Sequence, residues 1–138
     1  MNLVIDTNVL MSAVIKDSIT RKLIIGAKIN ILFPEQIFKE LKNNEEEILK
    51  KSKLTKSEYN ELLNRLLTYV KIIPTETLNP YKEKALEISK TIDINDTLFF
   101  ATALAFKDSI IWSNDKKLKD QDKIKVMNTL EIKKLFSI

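Results

Sequence analysis

The chain has 138 residues, 44% of them apolar and 30% charged, with a net charge of +4; this is one domain by length, with ample apolar side chains for a core. It holds no cysteine and no histidine, which excludes disulfides, thiolate zinc sites, imidazole metal ligands and every Ser–His or Cys–His triad. Any hydrolytic chemistry must therefore rest on carboxylates, Lys, Tyr or Ser/Thr with the help of a metal, and the modest positive charge suits a polyanionic partner.

Asn2 to Ile5 is apolar and β-branched and ends at Asp6, the pattern of a first strand. Residues 8–16 and 18–28 read as helices, the second capped by Asp17 or Ser18. Ile29 to Phe33 reads as a second strand, with Pro34 in the first turn of a helix that continues through Ile37, Phe38 and Leu41. Thr55-Lys56-Ser57-Glu58 has the capping-box pattern and opens a helix whose apolar stripe is Leu62, Leu63, Leu66 and Leu67. Val70 to Ile73, closed by Pro74, is a third strand, and Asn79-Pro80 supplies a cap and first residue for the next helix. Asn95 is placed to cap a strongly apolar helix through Leu98, Phe99, Ala101, Thr102, Ala105 and Phe106. Ser109 to Trp112 and Lys123 to Met127 complete the strands, and Asn128 or Thr129 caps a last helix carrying Leu130, Leu135 and Phe136.

Strands separated by helices imply right-handed crossovers and a mostly parallel five-stranded sheet covered on both faces. The expected fold is an α/β class three-layer α/β/α sandwich, a single domain over residues 1–138 with no repeat or linker. The single glycine, Gly26, excludes glycine-rich phosphate loops. No apolar run approaches the roughly 20 residues of a membrane span. Asp6 interrupts the first apolar stretch before a signal-peptide core can form, so a cytoplasmic protein is expected.

Ligands of such sheets bind beyond the carboxyl ends of the strands, where strand order reverses. Asp6 follows the first strand, and Asp115 follows the fourth after Ser113 and Asn114. Asp96 opens the helix leading into the fourth strand, and Glu40 lies about two turns into the helix after the second. Each acid alone has an ordinary explanation as a cap, a dipole partner or a solvated side chain. Four acids gathered from separated segments would instead repel strongly without a cation to hold them. An all-oxygen ligand set selects hard ions, Mg²⁺ or Mn²⁺.

These segments resemble the motifs of the PIN-domain ribonuclease family, which includes VapC-type toxins. Val4-Ile5-Asp6-Thr7-Asn8-Val9-Leu10 is similar to the opening motif, and the stretch ending in Glu40 to the second acidic motif. Asp93-Ile94-Asn95-Asp96, with the alanine-rich helix after it, is similar to the third, and Ile111-Trp112-Ser113-Asn114-Asp115-Lys116-Lys117-Leu118 to the fourth. The resemblance covers almost the whole chain. It implies sheet order 3-2-1-4-5, metal-binding acids Asp6, Glu40, Asp96 and Asp115, polar support from Asn8 and Ser113, and Asp93 as a supporting or fifth acid. It also implies one or two Mg²⁺ or Mn²⁺ ions, endonucleolytic hydrolysis of RNA to 5′-phosphate and 3′-hydroxyl products, and a homodimer. For a toxin, an antitoxin protein would be the partner.

Lys39, Lys42, Lys116, Lys117 and Lys119 are near enough to these acids in sequence to meet an RNA backbone. A narrow cleft favours single-stranded over structured RNA. A toxin and a housekeeping RNA-processing nuclease both fit these motifs, the compact size leaning to the toxin; retention of all four acids argues against the other alternative, an inactive RNA- or protein-binding module. An aspartate-nucleophile phosphatase on a similar sandwich is disfavoured, because Asn8 stands where its second acid belongs. Glu45-Glu46-Glu47 and the helical stretch to Tyr69 carry no motif, and the bulky Phe99 and Phe100 are expected to pack, a dimer face being one place for them.

Overall fold

The β-branched runs form five strands: β1 (Asn2–Ile5), β2 (Asn30–Pro34), β3 (Lys71–Ile73), β4 (Ser109–Trp112) and β5 (Lys125–Met127). These come from a computed structural model that describes residues 1–15 and 19–136. All pair in parallel, in the order β3-β2-β1-β4-β5. The chain first builds outward from β1 on one side and then returns to its other side, so the order reverses between β1 and β4. There Val4 pairs with Ile111 and Ile5 with Trp112. That register fixes which side chains meet just past the strand ends.

Nine helices surround the sheet among the described residues: α1 (Thr7–Ile15), α2 (Ile19–Gly26), α3 (Glu35–Asn43), α4 (Glu45–Lys51), α5 (Lys56–Leu67), α6 (Thr75–Leu78), α7 (Lys82–Ser89), α8 (Thr97–Ala105) and α9 (Thr129–Phe136). Leu3, Val4 and Ile5 are all completely buried. Successive strand residues point to opposite faces, so helices must cover both. α8 lies against β1, β2 and β4 and packs with α6 and α7, while α1, α2 and α5 pack on one another as a second group. The sandwich and strand order expected from the sequence are those observed.

Five consecutive residues of α8, Phe99 to Ala103, are buried. A helix apolar all round belongs inside a protein. The Phe99 ring stands 6.0 Å from that of Phe33, tilted by 54°, within the range of favourable aromatic pairs. Phe100 is fully buried. Both phenylalanines therefore pack, as expected of them, and they do so in the chain's own core.

Several boundaries move for local reasons. Pro34 ends β2 in extended geometry (φ −69°, ψ 135°) and precedes α3 as its cap residue, not as its first turn. Asn79 is helical and makes no cap bond, because α6 has already begun at Thr75; Asn79–Tyr81 is a 3₁₀ turn that leads into α7. Asn95 does not cap α8 either. It lies inside a 3₁₀ turn (Ile94–Asp96) capped by Asp93, whose Oδ1 accepts from the Asn95 amide at 3.0 Å. The helical stretch to Tyr69 is two helices, α4 and α5, and the choice between Asp17 and Ser18 as cap lies outside the described residues.

Two caps appear as read. Asn128 and Glu131 bond reciprocally to each other's backbone amides at the start of α9. Thr55 Oγ1 accepts from the Glu58 amide at 3.1 Å, and Glu58 accepts from the Thr55 amide at 3.0 Å. Burial of this exposed pair is slight, so Thr55→Ala isolates the cap: it should lower stability by about 1 kcal/mol in urea unfolding. An unchanged midpoint would show that the box contributes nothing here.

Candidate functional site

Register places Asp6 and Ser113 side by side, one residue beyond the paired Ile5 and Trp112. The Asp6 amide donates to the Trp112 carbonyl at 3.1 Å, and the Ser113 amide to Met127 at 3.0 Å, so the ladder continues one step past each strand. Asp6 is only 6% exposed. Its Oδ1 accepts from the Val9 amide at 2.8 Å, and its Oδ2 accepts from the Ser113 hydroxyl. Asp6 thus caps α1 with one oxygen and meets Ser113 with the other. Burial pushes its carboxyl above the usual range; the bonds from Ser113 and the Val9 and Asn8 amides oppose that, and the nearby Asp115 charge adds to it.

Ser113 passes the link onward. Its oxygen accepts from the Asp115 amide at 3.1 Å, and Asp115 Oδ1 accepts from the Lys117 amide at 3.1 Å, turning the chain into a 3₁₀ turn (Lys116–Lys119). Across from these strand ends, Asp96 holds the cap position of α8 yet makes no cap bond. Asp6, Asp93 and Asp115 all bond backbone amides, whereas the Asp96 carboxylate makes no hydrogen bond among the described residues. Its carboxyl is pushed up to about 6, first by burial and then by the charges of Asp93, Asp6 and Asp115, with Lys117 opposing. Two aspartates from distant segments, Asp6 and Asp115, therefore act on Asp96 together with its near neighbour Asp93.

Glu40 is exposed on α3 and shares with Asp96 a cleft of about 560 Å³, also lined by Thr7, Gln36, Lys82 and Asn95. Lys82 is a residue that sequence reasoning missed. It is half-buried at the start of α7 and makes no ion pair among the described residues. Its only sequence signal was its place after Asn79-Pro80, which reads as helix entry. Asn8 contributes its backbone amide to Asp6, while its side chain is exposed and lines a separate groove with Met11 and Glu47.

The five lysines scatter. Lys39 is exposed and 3.8 Å from Glu35, and Lys42 sits over the Phe38 ring at 5.5 Å from its centroid. Lys116 and Lys119 line a third cleft with Ser113 and Asp115, Lys119 being paired with Glu131. Only Lys117 has its charge felt by Asp96 among those five.

The donor set fits a hard divalent cation. Every candidate ligand is a carboxylate oxygen, and the Asp96 carboxyl is held up by burial first and by the charges of Asp93, Asp6 and Asp115 next. Among the described residues no three such groups stand close enough to hold an ion by themselves.

The sequence matches the PIN domain family over residues 4–133. The chain belongs to the PIN domain family. A solved structure of similar fold is VapBC2 from Rickettsia felis bound to a DNA fragment from their promoter. The match has a TM-score of 0.69 at 22% identity, covering 93% of this chain and 98% of that one. No curated protein matches. Among the described residues, no helix of this PIN domain is long and apolar enough to cross a membrane.

Ser113→Ala tests the link between the two strand ends. It should lower stability by about 1–3 kcal/mol, because the buried Asp6 oxygen and the Asp115 amide lose their partner. Calorimetry that shows no loss would mean water replaces the hydroxyl at no cost.

Proposed function

We propose that this chain is a metal-dependent endoribonuclease of VapC type that hydrolyses RNA to 5′-phosphate and 3′-hydroxyl products. The observation that carries the reading is Asp96: a partly buried carboxylate, left free of backbone duty, facing the fields of Asp93, Asp6 and Asp115. Asp96, Asp6, Asp115 and Glu40 would hold one or two Mg²⁺ or Mn²⁺ ions. Bound there, the ion supplies Lewis-acid chemistry, acidifying a water and offsetting charge on the phosphate.

The chain's own groups set the rest. Ser113 orients Asp6 through its hydroxyl bond and so holds one acid in place for the ion. Asp96 would ligate as the ionised carboxylate, so protonation below its raised value of about 6 would compete with the cation. Lys82, in the cleft with Glu40 and Asp96, gives the phosphodiester a positive partner, and Lys116 and Lys117 extend positive charge along the strand of RNA. The toxin reading is supported by the fold shared with VapBC2 and by near-complete coverage of both chains; an antitoxin protein and a second copy of the chain are its expected partners.

The test compares RNA cleavage by the wild type and Asp6→Asn, with Mn²⁺ and with a chelator. The wild type should cut only with Mn²⁺ and leave 5′-phosphate ends. Equal cutting by both proteins, or by the wild type in chelator, would reject the assignment. Growth arrest on expression, relieved by a small protein encoded beside it, separates the toxin from a housekeeping enzyme.

A further inference from the structure

A second cavity, of about 350 Å³, lies where α3, α4 and α5 meet. Its walls include Phe38, Leu41, Lys42, Tyr59, Asn60 and Asn64. Tyr59 is only 2% exposed, and its hydroxyl makes no hydrogen bond among the described residues. Buried hydroxyls almost always find a partner, and one left alone forfeits its hydration. Tyr59 lines the cavity together with Glu45, and burial first and the Glu45 charge second raise the pKa of its hydroxyl.

Asn60 and Asn64 are four residues apart on α5, so their amides lie on one face of the helix. Paired amide donors and acceptors beside aromatic rings are what the edge and face of a nucleobase require. The volume stands at the lower end of the roughly 300–1,000 Å³ typical of small-ligand sites. The cavity also adjoins the acids: Leu41 lines both it and the Asp96 cleft, immediately after Glu40 on α3. Lys42, over the Phe38 ring, adds a cation at the same wall.

We infer that this cavity is a base-recognition subsite, taking one nucleobase of a single-stranded RNA whose backbone lies at the neighbouring acids. Tyr59, Asn60 and Asn64 bond the polar edge of the base, Phe38 and Leu63 contact its apolar surface, and Lys42 meets an adjoining phosphate. Its role as a selector of the cut sequence rests on the nuclease reading; its capacity to bind a base does not.

The experiment is an NMR titration of the full chain with the four nucleoside 5′-monophosphates and with ribose 5-phosphate, which has the phosphate but no base. At least one nucleotide should shift the Asn60 and Asn64 side-chain amides at a tenfold or lower concentration than ribose 5-phosphate. Tyr59→Phe and Asn64→Ala should each erase that difference. Neither endangers the fold, since one removes an unbonded hydroxyl and the other an exposed side chain. Nucleotides that act no better than ribose 5-phosphate, or variants that bind like the wild type, overturn the inference, the first result leaving the cavity to a protein side chain. RNA cleavage without base binding defeats only this subsite. Base binding by a chain that never cuts RNA defeats only the nuclease reading.

Discussion

Asp96→Asn should abolish RNA cleavage while raising the melting temperature of the metal-free protein at pH 8. The two effects share one cause. In the folded chain the Asp96 carboxyl sits at about 6, against an ordinary value of 3.8, because burial and the charges of Asp93, Asp6 and Asp115 oppose its ionisation. An acid whose pKa rises on folding adds stability below its unfolded value, and that contribution disappears as pH climbs through the folded value. Above pH 6 the folded chain therefore carries an unfavourable ionised carboxylate, which asparagine removes. After allowance for solvent screening at this partly exposed site, the gain is about 1 kcal/mol, or roughly 4 °C for a domain of this size. Near pH 4 the difference should shrink, since Asp96 is then protonated in the folded wild type. Cleavage should fall on the order of a thousandfold, as when a group that stabilises transition-state charge is lost. Calorimetry at the two pH values and a gel assay read both arms. A lower melting point at pH 8 would mean that Asp96 serves the fold; undiminished cleavage would remove it from the site.

The same residue shows how far the sequence could be read. The family resemblance implied the sheet order; given that order, the meeting of Asp6 with the Ser113–Asp115 segment follows from β1 and β4 each ending in a short polar run, which the strand register aligns. What a linear pattern could not do was choose between capping and chemistry. Asp6 does both at once, one oxygen to the Val9 amide and the other to Ser113. Asn95 was expected to cap α8; it lies instead in a 3₁₀ turn capped by Asp93, and Asp96, at the α8 cap position, makes no cap bond. Helix-opening propensities of Asp and Asn are too similar to settle such a contest; the 3₁₀ turn between them does. Lys82 and the Tyr59 cavity escaped for a different reason. Both depend on which helices pack together, and α5 and α7 carry no motif that announces it. The lysines chosen by nearness in sequence fared unevenly, because neighbouring residues of a helix point to different sides: Lys39, next to Glu40, pairs with Glu35 on its own face.

Divalent cation should stabilise the chain strongly at pH 8 and weakly at pH 5. A ligand that binds only the folded state adds RT ln(1 + [L]/Kd), which is about 2.7 kcal/mol at a hundredfold excess over Kd. For this length that is roughly 10 °C in melting temperature. The proton is the competitor: with the Asp96 carboxyl at about 6, most of it is protonated at pH 5 and must be deprotonated before it ligates. Asp6 adds to the dependence in the same direction, its carboxyl also being raised, by burial first and then by Asp115, against the bonds that lower it. Mn²⁺ titrations followed by melting curves at pH 5 and pH 8 measure this without any RNA present. Asp6→Asn and Asp96→Asn should each lose most of the pH 8 shift, and excess chelator should return the wild type to its starting value. Exchange of Asp120, an exposed acid just after the 3₁₀ turn that follows Asp115, should change nothing. If the wild type and both site variants gained equal stability from Mn²⁺, the ion would be binding elsewhere, and the acids at the ends of β1 and β4 would be caps and nothing more.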